Sequence, residues 1–125
     1  MSEPKFTQEH EWLRLEADGS VTIGITDYAQ EQLGDIVFVE LPAVGTHLEA
    51  DSNFVVIESV KAVGEVKLTV GGTVLAVNEQ LADAPELVNS APLDAGWLLR
   101  VKLDESRMLD QLMDGNAYHA YVAEL

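Results

Sequence analysis

Along this chain apolar and polar positions mostly alternate with a period of two, the spacing of a strand that buries one face. Trp12-Leu13-Arg14-Leu15 and Val21-Thr22-Ile23-Gly24 are two such runs, and the turn signal Asp18-Gly19-Ser20 joins them into a predicted hairpin. Phe6 to Glu11 is a polar opening segment, and Trp12 is the candidate core anchor. Ile36 to Leu41 is β-prone and apolar on both faces, which predicts a strand held between two layers and ended by Pro42. Gly45 turns the chain into Thr46-His47-Leu48, and Glu49 to Asn53 is a polar loop. Phe54-Val55-Val56-Ile57 then leads into Glu58-Ser59-Val60-Lys61-Ala62. After Gly64, Val66, Leu68 and Val70 fall on one face of a strand and Glu65, Lys67 and Thr69 on the other. Gly71-Gly72 predicts a tight turn into a strand over Thr73 to Asn78, and Trp97 to Leu103 is a clear strand.

Helical signals are short. Thr26 to Gly34 has a cap at Thr26 or Asp27, capping-box spacing between Asp27 and Gln30, and a glycine stop at Gly34. Tyr28, Ala29 and Leu33 share its inward face. Glu79 to Pro92 is loop-like, broken by Pro85 and Pro92, with one helical turn at Glu86 to Asn89. Asp104 caps a predicted helix through Leu112, and Asp114 caps a last one through Glu124. Leu109, Leu112, Met113, Tyr118, Tyr121 and Val122 are their packing contacts, which suits Met108 and Met113 better than a methionine-rich cofactor surface does. The chain is mainly β with short helices, and its 125 residues make one domain spanning 1–125. Gly34-Asp35-Ile36-Val37 is like Gly64-Glu65-Val66-Lys67, and Gly45-Thr46 is like Gly72-Thr73. Chance likeness and real duplication both account for that repeat.

Charge narrows the partners. With 22 acidic and 7 basic residues the net charge is −15, which argues against nucleic acid, whose phosphates need clustered lysine and arginine. Such acidity keeps a protein soluble, or steers it to basic surfaces on partner enzymes; both readings stand. The absence of cysteine excludes disulfides, thiolate metal sites and cysteine nucleophiles, so any sulfur chemistry belongs to an attached group. The start of the chain is unlike a signal or transit peptide and no apolar run reaches membrane-span length. A soluble, monomeric protein of the bacterial cytoplasm is expected, or of the mitochondrial matrix if an organellar form has been trimmed.

No catalytic set stands out. His10, His47 and His119 lack metal-ligand spacing, Ser59 has no serine–lysine spacing to Lys61, and phosphate-binding glycine loops are missing. Two strands flanking Glu58 to Ala62 instead set Lys61 near the tip of a hairpin. A lysine there is either a solubilising residue or an exposed amine on a rigid mount, free to be acylated. Ser59 and Ala62 beside it are small enough to let an enzyme reach the amine.

Glu58-Ser59-Val60-Lys61-Ala62 resembles the lipoyl-attachment motif of the glycine cleavage system H proteins. His10-Glu11-Trp12, Gly24 to Gln30, Leu33 to Pro42, Val77-Asn78 and Gly96-Trp97 resemble the same family in the same order, over nearly the whole chain. The resemblance implies a flattened β-barrel/sandwich hybrid of the lipoyl/biotinyl-carrier type, with two quasi-equivalent halves, the lysine on a β-hairpin tip and C-terminal helices packed on the barrel. It implies lipoate held as N6-lipoyllysine at Lys61, with Glu58, Ser59, Val60 and Ala62 as the recognition residues around it. Lys67 is the nearest competitor, less favourably placed on its strand.

By the same resemblance the chain is a non-catalytic carrier. Glycine decarboxylase (P protein) leaves an aminomethyl group on a lipoyl sulfur. A tetrahydrofolate-dependent aminomethyltransferase (T protein) takes the one-carbon unit, and dihydrolipoamide dehydrogenase (L protein) reoxidises the dithiol. A lipoate ligase or lipoyl/octanoyl transferase attaches the group. In the family, carboxylates shelter the arm's cationic amine; the matching positions are Glu9, Glu11 and Glu65, whose other reading is a generally acidic surface. Glu9 often aligns with serine and Glu65 with aspartate in relatives. The usual proline-containing turn after the lysine is replaced by Gly64 to Gly72, and Gln32 stands where some relatives have histidine. The rival readings are a lipoyl or biotinyl domain of a 2-oxoacid dehydrogenase or carboxylase, a lipoyl-relay donor for other enzymes, and an unmodified H-like interaction module.

Overall fold

The computed structural model describes residues 3–50, 52–68, 71–104, 109 and 112–125, and of residues 53, 54 and 68 the backbone alone. The chain opens with β1 (Lys5–Phe6), β2 (Glu11–Leu15) and β3 (Val21–Ile25), followed by helix α1 (Asp27–Leu33). Strands β4 (Ile36–Glu40), β5 (His47–Leu48), β6 (Ser52–Ser59), β7 (Val63–Leu68) and β8 (Gly72–Val77) come next. Two single-turn helices, α2 (Gln80–Asp83) and α3 (Leu87–Ser90), precede β9 (Leu99–Leu103) and the closing helix α4 (Gly115–Ala123).

Two antiparallel sheets result. One has the order β1-β2-β3-β9-β8-β5 and the other β4-β6-β7. The main core fills the space between them: Leu13, Ile23, Leu99 and Val101 come from the larger sheet, and Ile36, Val55, Ile57 and Val66 from the smaller. This is the barrel-sandwich arrangement that the resemblance implies. The repeat also has a spatial counterpart. β4 and β7 flank β6 in the small sheet, and the strands that follow them, β5 and β8, pair in the large one.

Local chemistry explains the turns and ends. Asp18 Oδ1 accepts from the Ser20 N–H at 2.9 Å, and Gly19 takes φ 89° between β2 and β3. Thr26 caps α1 by accepting from the Ala29 N–H, and Gly34 stops the helix at φ 85°. Asp114 caps α4 through the Ala117 N–H at 2.8 Å. A second cluster seats that helix, with Tyr118 against Phe6 and Trp12 and with Met113, Tyr121 and Val122 packed around them. Trp12 is fully buried as predicted, and its indole N–H donates to the Pro92 carbonyl at 2.9 Å.

Several expectations need correction. β4 is the edge of a three-stranded sheet rather than a strand between two layers: Val37 and Phe38 are 52% and 48% exposed. A register shift between Ile36 and Phe38 turns both outward. Gly71 and Gly72 have no left-handed φ, and Gly72 begins β8. A Cβ on Gly72 would lie 2.7 Å from the Lys102 carbonyl, so close strand approach is what requires a glycine there. The polar opening segment contributes the two-residue β1, the loop at 49–53 already joins β6 at Ser52, and α2 lies in the stretch predicted to be mostly loop. The inward face of α1 is only half covered: none of its residues is fully buried, although Ala29 and Leu33 touch the core. Val70, Met108 and most of the helix expected from Asp104 to Leu112 lie outside the described residues. Leu109 and Leu112 do join the core.

Candidate functional site

The hairpin of β6 and β7 pairs Glu58 with Val63, which leaves Val60-Lys61-Ala62 as its tip. Ser59 fixes the turn. Its N–H donates to the Ala62 carbonyl at 2.8 Å, and its Oγ accepts from the Ala62 N–H at 3.0 Å and the Lys61 N–H at 3.3 Å. The hydroxyl proton goes to the Ala62 carbonyl at 3.1 Å. The Val60 N–H donates to the Asp35 carbonyl at 3.0 Å and ties the tip to the start of β4. Lys61 is exposed, and Val60 and Val63 beside it are 70% and 65% exposed. Glu58 is half-buried, paired across the sheet with Phe38.

The lysine stem passes the end of α1. A Cβ built on Gly34 would stand 3.1 Å from Lys61 Cε, so the absence of a side chain makes room for the stem. Leu33 likewise lies over Gly64, where a Cβ would meet it at 2.9 Å. Asn89 of α3 holds this corner from behind. Its Nδ2 donates to the Gln30 Oε1 at 2.8 Å and to the Gly34 carbonyl at 2.9 Å, and its Oδ1 accepts from the Ile36 N–H at 2.8 Å.

Beside the hairpin a cleft of about 210 Å³ opens between β2, α1, β6 and β7, lined by Glu9, Glu11 and Glu65 among others. Ile25, Leu33, Ile57 and Val66 give it apolar walls. Glu9 and Glu65 are exposed, whereas Glu11 is 1% exposed. Burial pushes the Glu11 carboxyl up to about 8, against the bond its Oε2 accepts from the Lys67 N–H at 2.9 Å; nearby Glu9 adds to the rise.

An aromatic cluster frames the same corner. His10, the sole described non-glycine residue with positive φ, at 66°, places its Nδ1 2.8 Å from the Tyr118 hydroxyl. That hydroxyl lies 2.7 Å from Thr26 Oγ1, the cap of α1. The His10 ring sits 4.5 Å from Tyr28 and 5.9 Å from Tyr121, and burial lowers its pKa.

The residues singled out in the sequence thus fall into two adjacent groups. Val60, Lys61 and Ala62 form the tip, with Glu58 and Ser59 at the end of β6, and Glu9, Glu11 and Glu65 share the cleft. Lys67 is half-buried on β7. The contributions of Gly34, Asn89 and the His10–Tyr118–Thr26 chain are additions from the structure. They act across long sequence separations, and only Thr26 and Gly34, the predicted ends of α1, had a local signal.

Residues 4–125 match the family model for the glycine cleavage H-protein. A glycine cleavage system H protein of Rhodospirillum rubrum is 51% identical over 125 residues, covering 100% of this chain and 99% of the relative. One from Chromohalobacter salexigens is 52% identical over 119 residues, 95% of this chain and 91% of the relative. The crystal structure of a glycine cleavage system H protein from Mycobacterium marinum superposes with a TM-score of 0.85 at 31% identity, covering 98% of both chains. Match, identity and fold agree over the whole chain: it belongs to the glycine cleavage H-protein family, the non-catalytic lipoyl carriers of that system.

Proposed function

We propose that the lipoyl group is carried on Nζ of Lys61 as N6-lipoyllysine, and that the cleft beside the hairpin shelters the far end of the arm. The observation that carries this reading is the turn itself: an exposed lysine on a tip whose backbone is tied at Ser59, Ala62 and Val60. Such a mount fits an amide-linked arm, since it exposes the amine to a modifying enzyme and fixes where the arm begins.

When attached, lipoate supplies a disulfide and dithiol couple that accepts and gives up a one-carbon amine. The chain's own residues do the rest. Lys61 anchors the arm, Ser59 and Ala62 hold the turn, and Glu58 and Val60 present a surface to the lipoate ligase or lipoyl/octanoyl transferase. Apolar Ile25, Leu33, Ile57 and Val66 accommodate the aliphatic part of an arm, Glu9 and Glu65 supply acceptors for a cationic end, and buried Glu11 would give up its proton to join them. Tethering raises the effective concentration of the arm at each docked enzyme: the decarboxylase, the aminomethyltransferase and the dehydrogenase. The cytoplasm of a bacterium is the proposed site of action, a reading supported by the bacterial relatives. Among the described residues no helix is long and apolar enough to cross a membrane.

The test is the mass of the Lys61 peptide from protein made in its native host, with and without Lys61→Arg. The expected result is a lipoyl adduct on the parent alone. An adduct on another lysine, or none, refutes the assignment. For the cleft, Glu9→Gln/Glu11→Gln/Glu65→Gln should still be lipoylated yet lose its aminomethyl group to water faster; an unchanged release rate refutes the shelter.

A further inference from the structure

A second and larger concavity lies on the opposite side of α1. It measures about 720 Å³ and runs between the N-terminal segment, α1 and the start of α4. We propose that this groove is a second docking site, separate from the Lys61 hairpin, that takes a lysine- or arginine-bearing segment of one of the three enzymes that service the arm.

The lining is what a cationic side chain requires. Phe6 and Tyr118 are buried and stacked at 4.6 Å, and Tyr28, half-buried, faces the same space. Of these three rings Tyr28 is the one exposed enough to attract a guanidinium or ammonium held over it. The exposed carboxylates Glu3, Asp27, Glu31 and Asp114 also line the groove, and two of them are held in place. Asp114 accepts from the Ala117 N–H at 2.8 Å, and Asp27 accepts from the Gln30 amide at 2.8 Å. Neither lysine nor arginine is among the described lining residues, and His119 is the basic side chain there. The chain's net charge of −15 draws basic surfaces toward it from a distance.

Two features favour a protein segment over a free cation. Leu93, 42% exposed, and Pro4 extend the lining with apolar surface that suits the aliphatic stem of a long side chain and the backbone near it. The groove also shares a wall with the arm cleft. Tyr28 lines both; Asp27 and Glu31 line the groove, and Ala29, Gln32 and Leu33 line the cleft. A segment seated there belongs to a body already beside the arm, which is where an enzyme of this system must be. The proposal rests on the carrier reading only in that such enzymes visit the chain.

The experiment compares two charge-reversed forms of the full, lipoylated chain. Glu3→Lys/Glu31→Lys changes the groove, and Glu79→Lys/Asp83→Lys makes the same charge change on exposed residues of the α2 segment. Leu93→Lys is a second groove variant, and thermal unfolding checks that all three fold. Each of the three enzymes is assayed with the carrier as varied substrate over a salt series. For one enzyme, both groove variants should raise KM about tenfold over the control and flatten its salt dependence, with kcat at saturation kept within about twofold. Equal KM values for groove and control variants with all three enzymes overturn the proposal. So does a result in which arginine ethyl ester perturbs the Tyr28 and Tyr118 NMR signals while no enzyme's KM moves, for then the groove is a small-cation site. The mass of the Lys61 peptide in the same samples reports the attachment reading separately.

Discussion

The carboxyl of Glu11 on β2 accepts a 2.9 Å hydrogen bond from the backbone N–H of Lys67 on β7, joining the two sheets beneath the cleft beside the hairpin. A buried carboxyl satisfied by a single short backbone bond and a longer contact from Thr7 stays protonated well above its ordinary range.

The sign of the pH dependence follows. Glu11 has a folded pKa of about 8 against an ordinary value of 4.5, so the folded chain holds a proton that the unfolded chain releases between those values. Its contribution is fully present below the lower value, declines by at most about 1.4 kcal/mol per pH unit as pH rises, and levels off above the upper one. Glu11→Gln should flatten that slope and gain on the parent at pH 9 relative to pH 6, as read by urea unfolding at each pH. Parallel curves for the two proteins would contradict the buried, protonated state.

Ser59→Ala removes three side-chain hydrogen bonds from an exposed turn. Global stability should fall by only about 0.5–1.5 kcal/mol, because water replaces the lost partners. Lipoylation should suffer more: kcat/KM of the modifying enzyme should drop about tenfold as the lysine loses its fixed mount. A rate equal to that of the parent would show that the turn needs no side-chain lock.

Gly34→Ala places a side chain at φ 85°, and its Cβ would lie 3.1 Å from Lys61 Cε. At ψ −160° this is a conformation only glycine adopts readily, and the backbone strain alone should cost about 1–3 kcal/mol in chemical denaturation. The displaced lysine stem should also be visible as a shift of the Lys61 Cε and Hε NMR signals, which strain elsewhere would not produce.

Asn89→Ala severs three bonds that join α3 to α1 and β4. Loss of about 2–3 kcal/mol is expected, since the Ile36 N–H and the Gly34 carbonyl lose their partner in a half-buried corner. Asn89→Asp should recover only the Ile36 bond, so its stability should fall between the two.

Features encoded within a few residues are legible in the sequence. Thr26 and Gly34 bound α1 as expected, and Asp18-Gly19-Ser20 marks the β2–β3 hairpin. The Lys61 tip follows from two β-rich runs, although Glu58 and Ser59, read as part of the turn, belong to β6. What depends on partners far along the chain is not legible. An apolar strand looks alike at an edge or in the middle, so the outward Val37 and Phe38 need the sheet order to be known. Gly72 carries the composition of a turn but answers to the Lys102 carbonyl. Ser59 has the small size that admits an enzyme, yet its hydroxyl is what ties the turn, and composition does not tell the two roles apart. For the cleft, the resemblance names Glu9, Glu11 and Glu65 together; that Glu11 alone is dehydrated is a property of how two sheets close.

Helix α1 has seven residues, none fully buried, and is fastened chiefly at its two ends: Thr26 to Tyr118 at the first, Gly34 to Asn89 at the last. An element hung in that way can swing or melt without disturbing the β framework, because beyond its polar ties it gives up only the packing of Ala29 and Leu33 on the core. Its amides should therefore exchange with deuterium far sooner than those of β3, whose five residues are all buried. The helix beside the lysine stem is thus a loosely fixed wall of a stiff box, and it borders the cleft next to the hairpin.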